Sequence, residues 1–228
     1  MAVQEDARRG VVCVWNDIDN EIADEFDEWY QKDHLPDRVG TPGFRSSRRY
    51  VRVAGEGRQY LAFSELDTVA VGASPAYRSR LGNATEWTRR IMPHFRRAIR
   101  YVSEVTVDRG LGTGAYLGAV LYERLTADQM QTARLAIEVA FDEIMKDARV
   151  TRARIFEMSE EATGSGSNPE ATLRPDPQRT ADLSVVIEGL YEHTVANLIG
   201  RIAALPALER ISQVMTPSVY RLLFSTRQ

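Results

Sequence analysis

Cysteine and histidine are scarce in this sequence of 228 residues. It contains one cysteine, Cys13, and three histidines that lie far apart. A single cysteine cannot form an internal disulfide, which suits a reducing compartment. The separated histidines lack the spacing of a metal site, so none is predicted. The sequence also contains no Walker loop, no GxGxxG after a strand, no GxSxG elbow and no HExxH, which makes nucleotide chemistry and the common hydrolase mechanisms poor interpretations.

Strong charge and long apolar runs are absent as well. The formal net charge is −3 and the arginines are spread through the chain, which disfavours nucleic-acid binding. No apolar run approaches the roughly 20 residues that span a bilayer. The N-terminal MAVQEDARRG lacks the apolar centre of a signal peptide. With 43% hydrophobic and 27% charged residues, the composition is that of an ordinary globular protein. We expect a cytoplasmic protein that binds neither nucleic acid nor membranes.

The predicted elements follow one order twice. Hydrophobic periodicity and capping signals predict a βαββαβ sequence in each half. In the first half, the strands are at 10–16, 48–53, 59–65 and 99–107. A helix covers 21–34, and a helical region begins at Ser74, has a second helical start at Asn83 and ends before Pro93. After a glycine-rich joint at 108–114, the strands are at 115–123, 150–158, 182–188 and 214–225, with helices at 126–147 and 192–205. We predict an α+β fold of tandem ferredoxin-like repeats forming an intrachain α+β barrel.

The domain division follows from that repeat. Residues 1–108 form the predicted first ferredoxin-like half and residues 109–228 the second, degenerate half. A stretch at about 160–180 is rich in Ser, Gly and Pro, which is typical of a mobile surface loop.

His34 is the main candidate for chemistry. Ile22, Phe26 and Tyr30 recur at every fourth position and share one helix face, and His34 is the next member of that series. We expect the helix to end there, because Pro36 opposes its continuation. Imidazole titrates near neutrality, so its position on a packing face suggests a functional role. A structural histidine in the core or at the helix C-cap is the alternative.

A motif around His34 resembles a known family. The run Trp29-Tyr30-x-x-x-His34-Leu35-Pro36-x-Arg38, followed by Pro42-Gly43-Phe44 and Arg48-Arg49-Tyr50, resembles the EthD-like branch of the dimeric α+β barrel superfamily, over about residues 10 to 107. The similarity is to bacterial members found among aromatic-compound and polyketide pathways. It implies ferredoxin-like units whose sheets pair into a barrel, with a pocket between sheet and helices. Many members work without a metal or organic cofactor, as isomerases, cyclases, lyases or monooxygenases. The second half lacks a counterpart of His34-Leu35-Pro36, so we expect the active pocket in the first half.

Further candidates are polar or aromatic groups that this fold could bring near His34. Asp37, just past the predicted helix end, would raise the pKa of His34 and fix its tautomer, although a solvated carboxylate is the alternative. Tyr50 is the other catalytic candidate. The candidates for substrate binding are Asn16, Trp29, Tyr30, Arg48, Tyr60 and Trp87. Aromatic side chains at such positions more often belong to the core, and strand-end capping explains Asn16 equally well.

Arginine is plentiful, and two groups of it need an interpretation. Arg48 and Arg49 point to opposite faces of a strand, so one of them requires a buried anion. We expect a second group to form a solvated, salt-bridged face, with anion binding as the alternative: Arg89, Arg90, Arg96, Arg97 and Arg100.

These observations predict a cofactor-independent enzyme performing proton-transfer chemistry, of the isomerase, cyclase or lyase type. Its substrate would be a small aromatic or polyketide-like carbonyl or carboxylate compound, with His34 as general base or acid. One alternative is a non-catalytic α+β barrel that binds a small hydrophobic ligand or serves as an assembly component. A cofactor-free monooxygenase is the other. A homodimer is a possible assembly.

Overall fold

Eight antiparallel strands form a closed barrel in the computed structural model, which describes residues 8–164 and 168–228. The strands are β1 (Gly10–Ile18), β2 (Phe44–Ala54), β3 (Tyr60–Leu66), β4 (Phe95–Gly110), β5 (Tyr116–Glu123), β6 (Val150–Met158), β7 (Leu183–Gly189) and β8 (Ser212–Arg227). Every predicted strand is present. Strands β2, β4 and β8 are longer than predicted, because pairing partners stabilise their ends. The β2–β8 ladder, for example, runs from Ser46 opposite Arg227 to Ala54 opposite Val219.

The order of strands around the barrel is β1-β3-β2-β8-β5-β7-β6-β4. One arc, β4-β1-β3-β2, comes from the first half of the chain, and the other, β8-β5-β7-β6, comes from the second. The β2–β8 and β4–β6 ladders join the arcs. The predicted α+β fold, with strands of both halves in a single barrel, is confirmed.

Helices cover the outside of both arcs. They are α1 (Ala23–Trp29), α2 (Leu35–Val39), α3 (Pro75–Gly82), α4 (Glu86–Ile91), α5 (Ala127–Ile144), α6 (Glu160–Thr163) and α7 (Glu192–Ala203). Side-chain caps fix two of the starts as predicted. The Ser74 hydroxyl accepts from the Tyr77 N–H, and Thr126 and Gln129 form a capping box. Within the described ranges, no helix is both long and apolar enough to cross a membrane.

Alternation along the strands divides the apolar residues between two sides of the sheet. In β1, Cys13 and Trp15 belong to the cluster inside the barrel, whereas Val14 packs toward the first-half helices beside Phe26. A third cluster lies under α5 and α7, where Phe141 is fully buried among second-half strand residues. The barrel thus has a filled interior and a separate helix–sheet layer on each arc.

The first helix does not end at His34. A π-helical turn, Tyr30–His34, follows α1 and leads directly into α2. The Leu35 N–H donates to the Tyr30 carbonyl, five residues back. Pro36 lies in the first turn of α2, where its missing N–H costs little. The predicted helix end was therefore wrong: the wider turn accommodates the proline, and such turns are frequent at functional sites.

The Pro42-Gly43-Phe44 part of the motif is a tight turn into β2. Gly43 has a φ of +88°, a conformation that favours glycine. A Cβ atom there would also lie 2.6 Å from Cγ2 of Val71. Glycine is required at this position on both grounds.

The stretch at 160–180 is more structured than its composition indicates. It contains α6 and a 3₁₀ turn, Pro169–Leu173, and its Glu170 is only 4% exposed. Backbone hydrogen bonds fix its end to β4, because the Arg100 N–H donates to the Arg179 carbonyl at 2.9 Å. Residues 165–167 of the predicted loop lie outside the described residues, and the mobility of the stretch stays a prediction.

Candidate functional site

A small cavity lies between the first arc of the barrel and the helices that cover it. Strand residues such as Val14 and Ala62 line one side, and Tyr30 and His34 line another. The third side comes from the 3₁₀ turn of the second half. The cavity measures about 30 Å³, which is room for about two water molecules.

His34 enters this cavity from the π-helical turn. Its ring stacks on Trp29 with centroids 4.3 Å apart and meets the ring of Tyr30 edge-on at 5.2 Å. Burial lowers the pKa of His34 well below its usual value, and the positive charges of Arg38 and Arg174 lower it further. His34 is therefore a neutral imidazole at physiological pH, with a lone pair able to accept a proton.

Three arginine side chains line the same cavity as the imidazole. Arg38 pairs with the carboxylates of Glu170 and Asp37. Arg100, from β4, donates to the Tyr77 hydroxyl at 3.2 Å. Arg174 follows the 3₁₀ turn, and burial together with Arg100 lowers its pKa to about 10. Three guanidinium groups and one carboxylate, that of Glu170, therefore line the cavity, which leaves an excess of positive charge.

Among the predicted site residues, Tyr30 and His34 line the cavity. Trp29 lies directly behind His34, and its indole N–H donates to Thr88 Oγ1 at 3.2 Å. The Asp37 carboxylate accepts from Arg38 and from Arg80, each at 2.9 Å. These guanidinium groups compensate its charge, and the pKa of His34 is lowered, not raised as expected from Asp37. A catalytic role for Asp37 stays a prediction.

Tyr50 and Arg48 lie inside the barrel. Tyr50 stacks on Phe63 with ring centroids 5.6 Å apart. The Arg48 guanidinium lies 2.5 Å from Glu65 and 3.1 Å from Glu188. Neither Tyr50 nor Arg48 lines the His34 cavity.

Arg49 points to the opposite side of β2, as the alternation predicts. Its guanidinium lies 4.5–4.6 Å from the ring centroids of Phe26, Tyr30 and Tyr60. Asp27 provides its counter-charge at 2.7 Å. Arg48 and Arg49 each have the carboxylate partner that a buried arginine requires.

The remaining candidates pack around the cavity without lining it. Tyr60 meets Phe26 at 5.1 Å between ring centroids. The Trp87 indole N–H donates to Glu25 at 3.0 Å. Asn16 is fully buried, and its Nδ2 donates to the Asp17 carbonyl at 3.0 Å. Direct contact of these three side chains with a substrate stays a prediction.

Four charged residues of the site were not among the predicted site residues: Arg38, Arg100, Glu170 and Arg174. Arg38 continues the four-residue series of Tyr30 and His34, but the expected helix end at Pro36 hid it. The expectation of a solvated face was wrong for Arg100, which is 2% exposed because alternation in β4 directs it toward the helices. Glu170 and Arg174 come from a polar stretch with no periodic signal.

One further group has the composition of a metal site. Ligand atoms of Asp19, Glu21 and His94 lie within 4.8 Å of one another near the end of β1. His94 Nδ1 lies 3.0 Å from Asp19, and Arg96 donates to the same carboxylate oxygen at 2.6 Å. Arg96 already supplies a cation to Asp19, so these contacts are explained as a partly exposed ion-pair cluster.

No family model and no curated protein matches this chain. Solved structures do match it over nearly its whole length. An anthrone oxidase-like protein has a TM-score of 0.66 at 10% identity, covering 98% of this chain and 94% of that one. A candidate monooxygenase from Fusobacterium nucleatum has a TM-score of 0.58 at 6% identity, covering 97% and 95%. A haem-binding protein from Thermus thermophilus has a TM-score of 0.50 at 9% identity, covering 96% and 92%.

The fold is that of the dimeric α+β barrel proteins. Identities this low show the architecture alone. The predicted barrel fold is thus confirmed, whereas membership of the dimeric α+β barrel superfamily and of its EthD-like branch stays a prediction. The function has to be argued from the cavity itself.

Proposed function

We propose that this protein is a cofactor-independent enzyme of the EthD-like branch, which transfers a proton on a small aromatic or polyketide-like carbonyl or carboxylate compound. His34 is the general base. It takes a proton from the carbon next to a carbonyl, and the electrons of the broken C–H bond form an enolate. Return of the proton to another atom of the substrate gives an isomer. Attack of the enolate carbon on a second carbonyl of the same substrate, whose oxygen then takes the proton, gives a cyclised product.

The observation that supports this proposal best is a neutral imidazole beside buried cations. A general base must be unprotonated at the working pH, and the lowered pKa of His34 meets that requirement. The same arginines that lower this pKa are suited to stabilise the negative charge that develops on the enolate oxygen. The arginines therefore favour substrate activation, and together with the larger effect of burial they favour the neutral form of the base.

Haem, which one neighbour's name implies, does not fit the described residues. The His34 ring packs against Trp29 and Tyr30, and its cavity is lined by Arg38, Arg174 and Glu170, so charged groups lie where a porphyrin would need a flat apolar slot. His94 is engaged with Asp19, and His193 is exposed on α7. The corresponding helix–sheet layer of the second half is filled by apolar side chains such as Ile137 and Phe141. We derive no step through haem.

A cofactor-free monooxygenase is the second candidate. The names of two structural neighbours, an anthrone oxidase-like protein and a candidate monooxygenase, favour it. The same deprotonated substrate would then react with dioxygen as co-substrate. Oxygen consumption separates this candidate from isomerisation, since isomerisation uses no dioxygen.

The test of the proposed base is solvent exchange. Aryl ketones and aromatic keto acids are incubated with the protein in deuterium oxide, and deuterium incorporation next to the carbonyl is followed by mass spectrometry. His34→Ala should lower the exchange rate by roughly 100- to 10,000-fold without unfolding the protein. The matched control is His193→Ala, on an exposed site of α7, which should exchange as the wild type does. Equal exchange by His34→Ala and the wild type contradicts the proposal.

We also propose that the barrel is a tandem repeat, with residues 1–108 and 109–228 as two ferredoxin-like halves. The strand orders support this. The first arc is β4-β1-β3-β2, and the second, numbered from its own first strand, has the same 4-1-3-2 order. Only the first half has the His34 motif, which supports a single active pocket per chain.

A further inference from the structure

Two arginines of the His34 cavity have hydrogen-bond donors without acceptors. Arg100 is 2% exposed and Arg174 is 9% exposed. Nη1 of Arg100, and Nε and Nη1 of Arg174, donate to no group within the described part of the chain. A buried guanidinium without a counter-ion is costly, so such donors indicate an anion that completes the site.

The carboxylates near the cavity do not balance the positive charges of Arg100 and Arg174. Glu170 lines it, but its carboxylate is bound to Arg38, which also pairs with Asp37 at 2.9 Å. Arg100 donates to the hydroxyl of Tyr77 and forms no ion pair with a carboxylate of the described residues. Arg174 packs over the ring of Phe95, 5.2 Å from its centroid. A surplus of positive charge therefore faces the cavity from two separate elements, β4 and the segment after the 3₁₀ turn.

We propose that this cavity binds the carboxylate of an organic acid through Arg100 and Arg174. The inference rests on the proposed function, because it names the substrate class of the same site. A carboxylate is about the size of two waters and fits the space present, and its two oxygens match the planar fork of a guanidinium. Tyr30, Met92 and Phe95 also line the cavity and offer apolar surface to the rest of the acid. The cavity as it stands accommodates the carboxylate, and an attached aromatic ring requires the lining side chains to move apart.

This arrangement also explains why the site spans both halves of the chain. Arg100 and His34 belong to the first half, whereas Arg174 and Glu170 belong to the second. The second half, which lacks its own His34 motif, supplies charged residues to the pocket of the first. A single chain thereby completes one anion site.

The test is calorimetric titration with benzoate and its neutral analogue benzamide at constant ionic strength. The wild type should bind benzoate and not benzamide. Arg100→Gln and Arg174→Gln should each weaken benzoate binding by at least about tenfold. Arg89→Gln, an exposed arginine on α4, is the matched control and should bind as the wild type does. Without ligand, Arg174→Gln should melt at or above the wild-type temperature, because an unpaired buried cation has been removed.

Several results would overturn the inference. They are equal binding of benzamide and benzoate, no benzoate binding by the wild type, or full benzoate affinity in Arg174→Gln. Binding of inorganic phosphate without binding of benzoate would likewise reject an organic acid as the ligand. If benzoate binding depends on these arginines while the exchange reaction of His34 is absent, the carboxylate site stands and the proposed chemistry falls.

Discussion

The substitution Glu170→Gln tests how much the ion pair between Glu170 and Arg38, which joins the two halves of the chain at the site, contributes to stability. Glu170 and Arg38 are 4% and 5% exposed. Breaking a buried pair of this kind costs about 3–5 kcal/mol, because one charge stays buried without its partner. Asp37 remains bound to Arg38 at 2.9 Å, which places Glu170→Gln at the lower end, about 3 kcal/mol. In a protein of this size that loss lowers Tm by about 6–12 °C.

The assay is thermal unfolding by circular dichroism, with Glu28→Gln as the control. Glu28 forms an exposed ion pair with Lys32 at 2.6 Å, and surface pairs contribute at most about 1 kcal/mol. The double variant Arg38→Gln/Glu170→Gln should recover part of the loss, since no unpaired charge then remains. A Tm for Glu170→Gln within about 2 °C of the wild type would refute the reasoning.

Two further predictions concern packing away from the site. Gly118→Ala should destabilise the protein by about 1–3 kcal/mol, because the new methyl group would lie 2.8 Å from Val195 and 2.9 Å from Ile199 of α7. Urea unfolding measures the free energy of unfolding, and an unchanged value would contradict the prediction. Cys13 is fully buried in the barrel, and burial raises the pKa of its thiol. Iodoacetamide at pH 8 should therefore modify Cys13 only in denaturant. Rapid alkylation of the native protein would contradict this, because it would show that the barrel interior opens.

The sequence predicted those parts of the structure that depend on local periodicity. The apolar run of β1 is buried, and Phe26 and Tyr30 of the four-residue series belong to the core, with His34 partly buried after them, because a core face repeats with the period of its element. The order of the elements could be predicted from these periodicities, and the barrel could be predicted from that order.

The charged part of the site was not predictable in the same way. Arg174 and Glu170 come from a Ser-, Gly- and Pro-rich stretch, and their burial depends on pairing with Arg38 and packing against the first half. Its composition predicts a solvent-exposed stretch, because nothing within the stretch itself offsets the free-energy cost of burying a charged side chain. The burial of Arg100, in a strand, was equally unpredictable. Alternation along the strand predicts which side of the sheet Arg100 faces, but not which residues cover that side.

The protonation state of His34 is the most direct test of the account. A side-chain ¹⁵N NMR titration resolves the three histidines, and His34→Ala assigns the signal. His34 should be neutral at pH 6.5, with a pKa well below that value. Because the unfolded chain then binds a proton that the folded protein does not, stability should fall as pH drops below about 6.5, by at most about 1.4 kcal/mol per pH unit. A His34 that titrates at or above pH 6.5 would contradict the central claim.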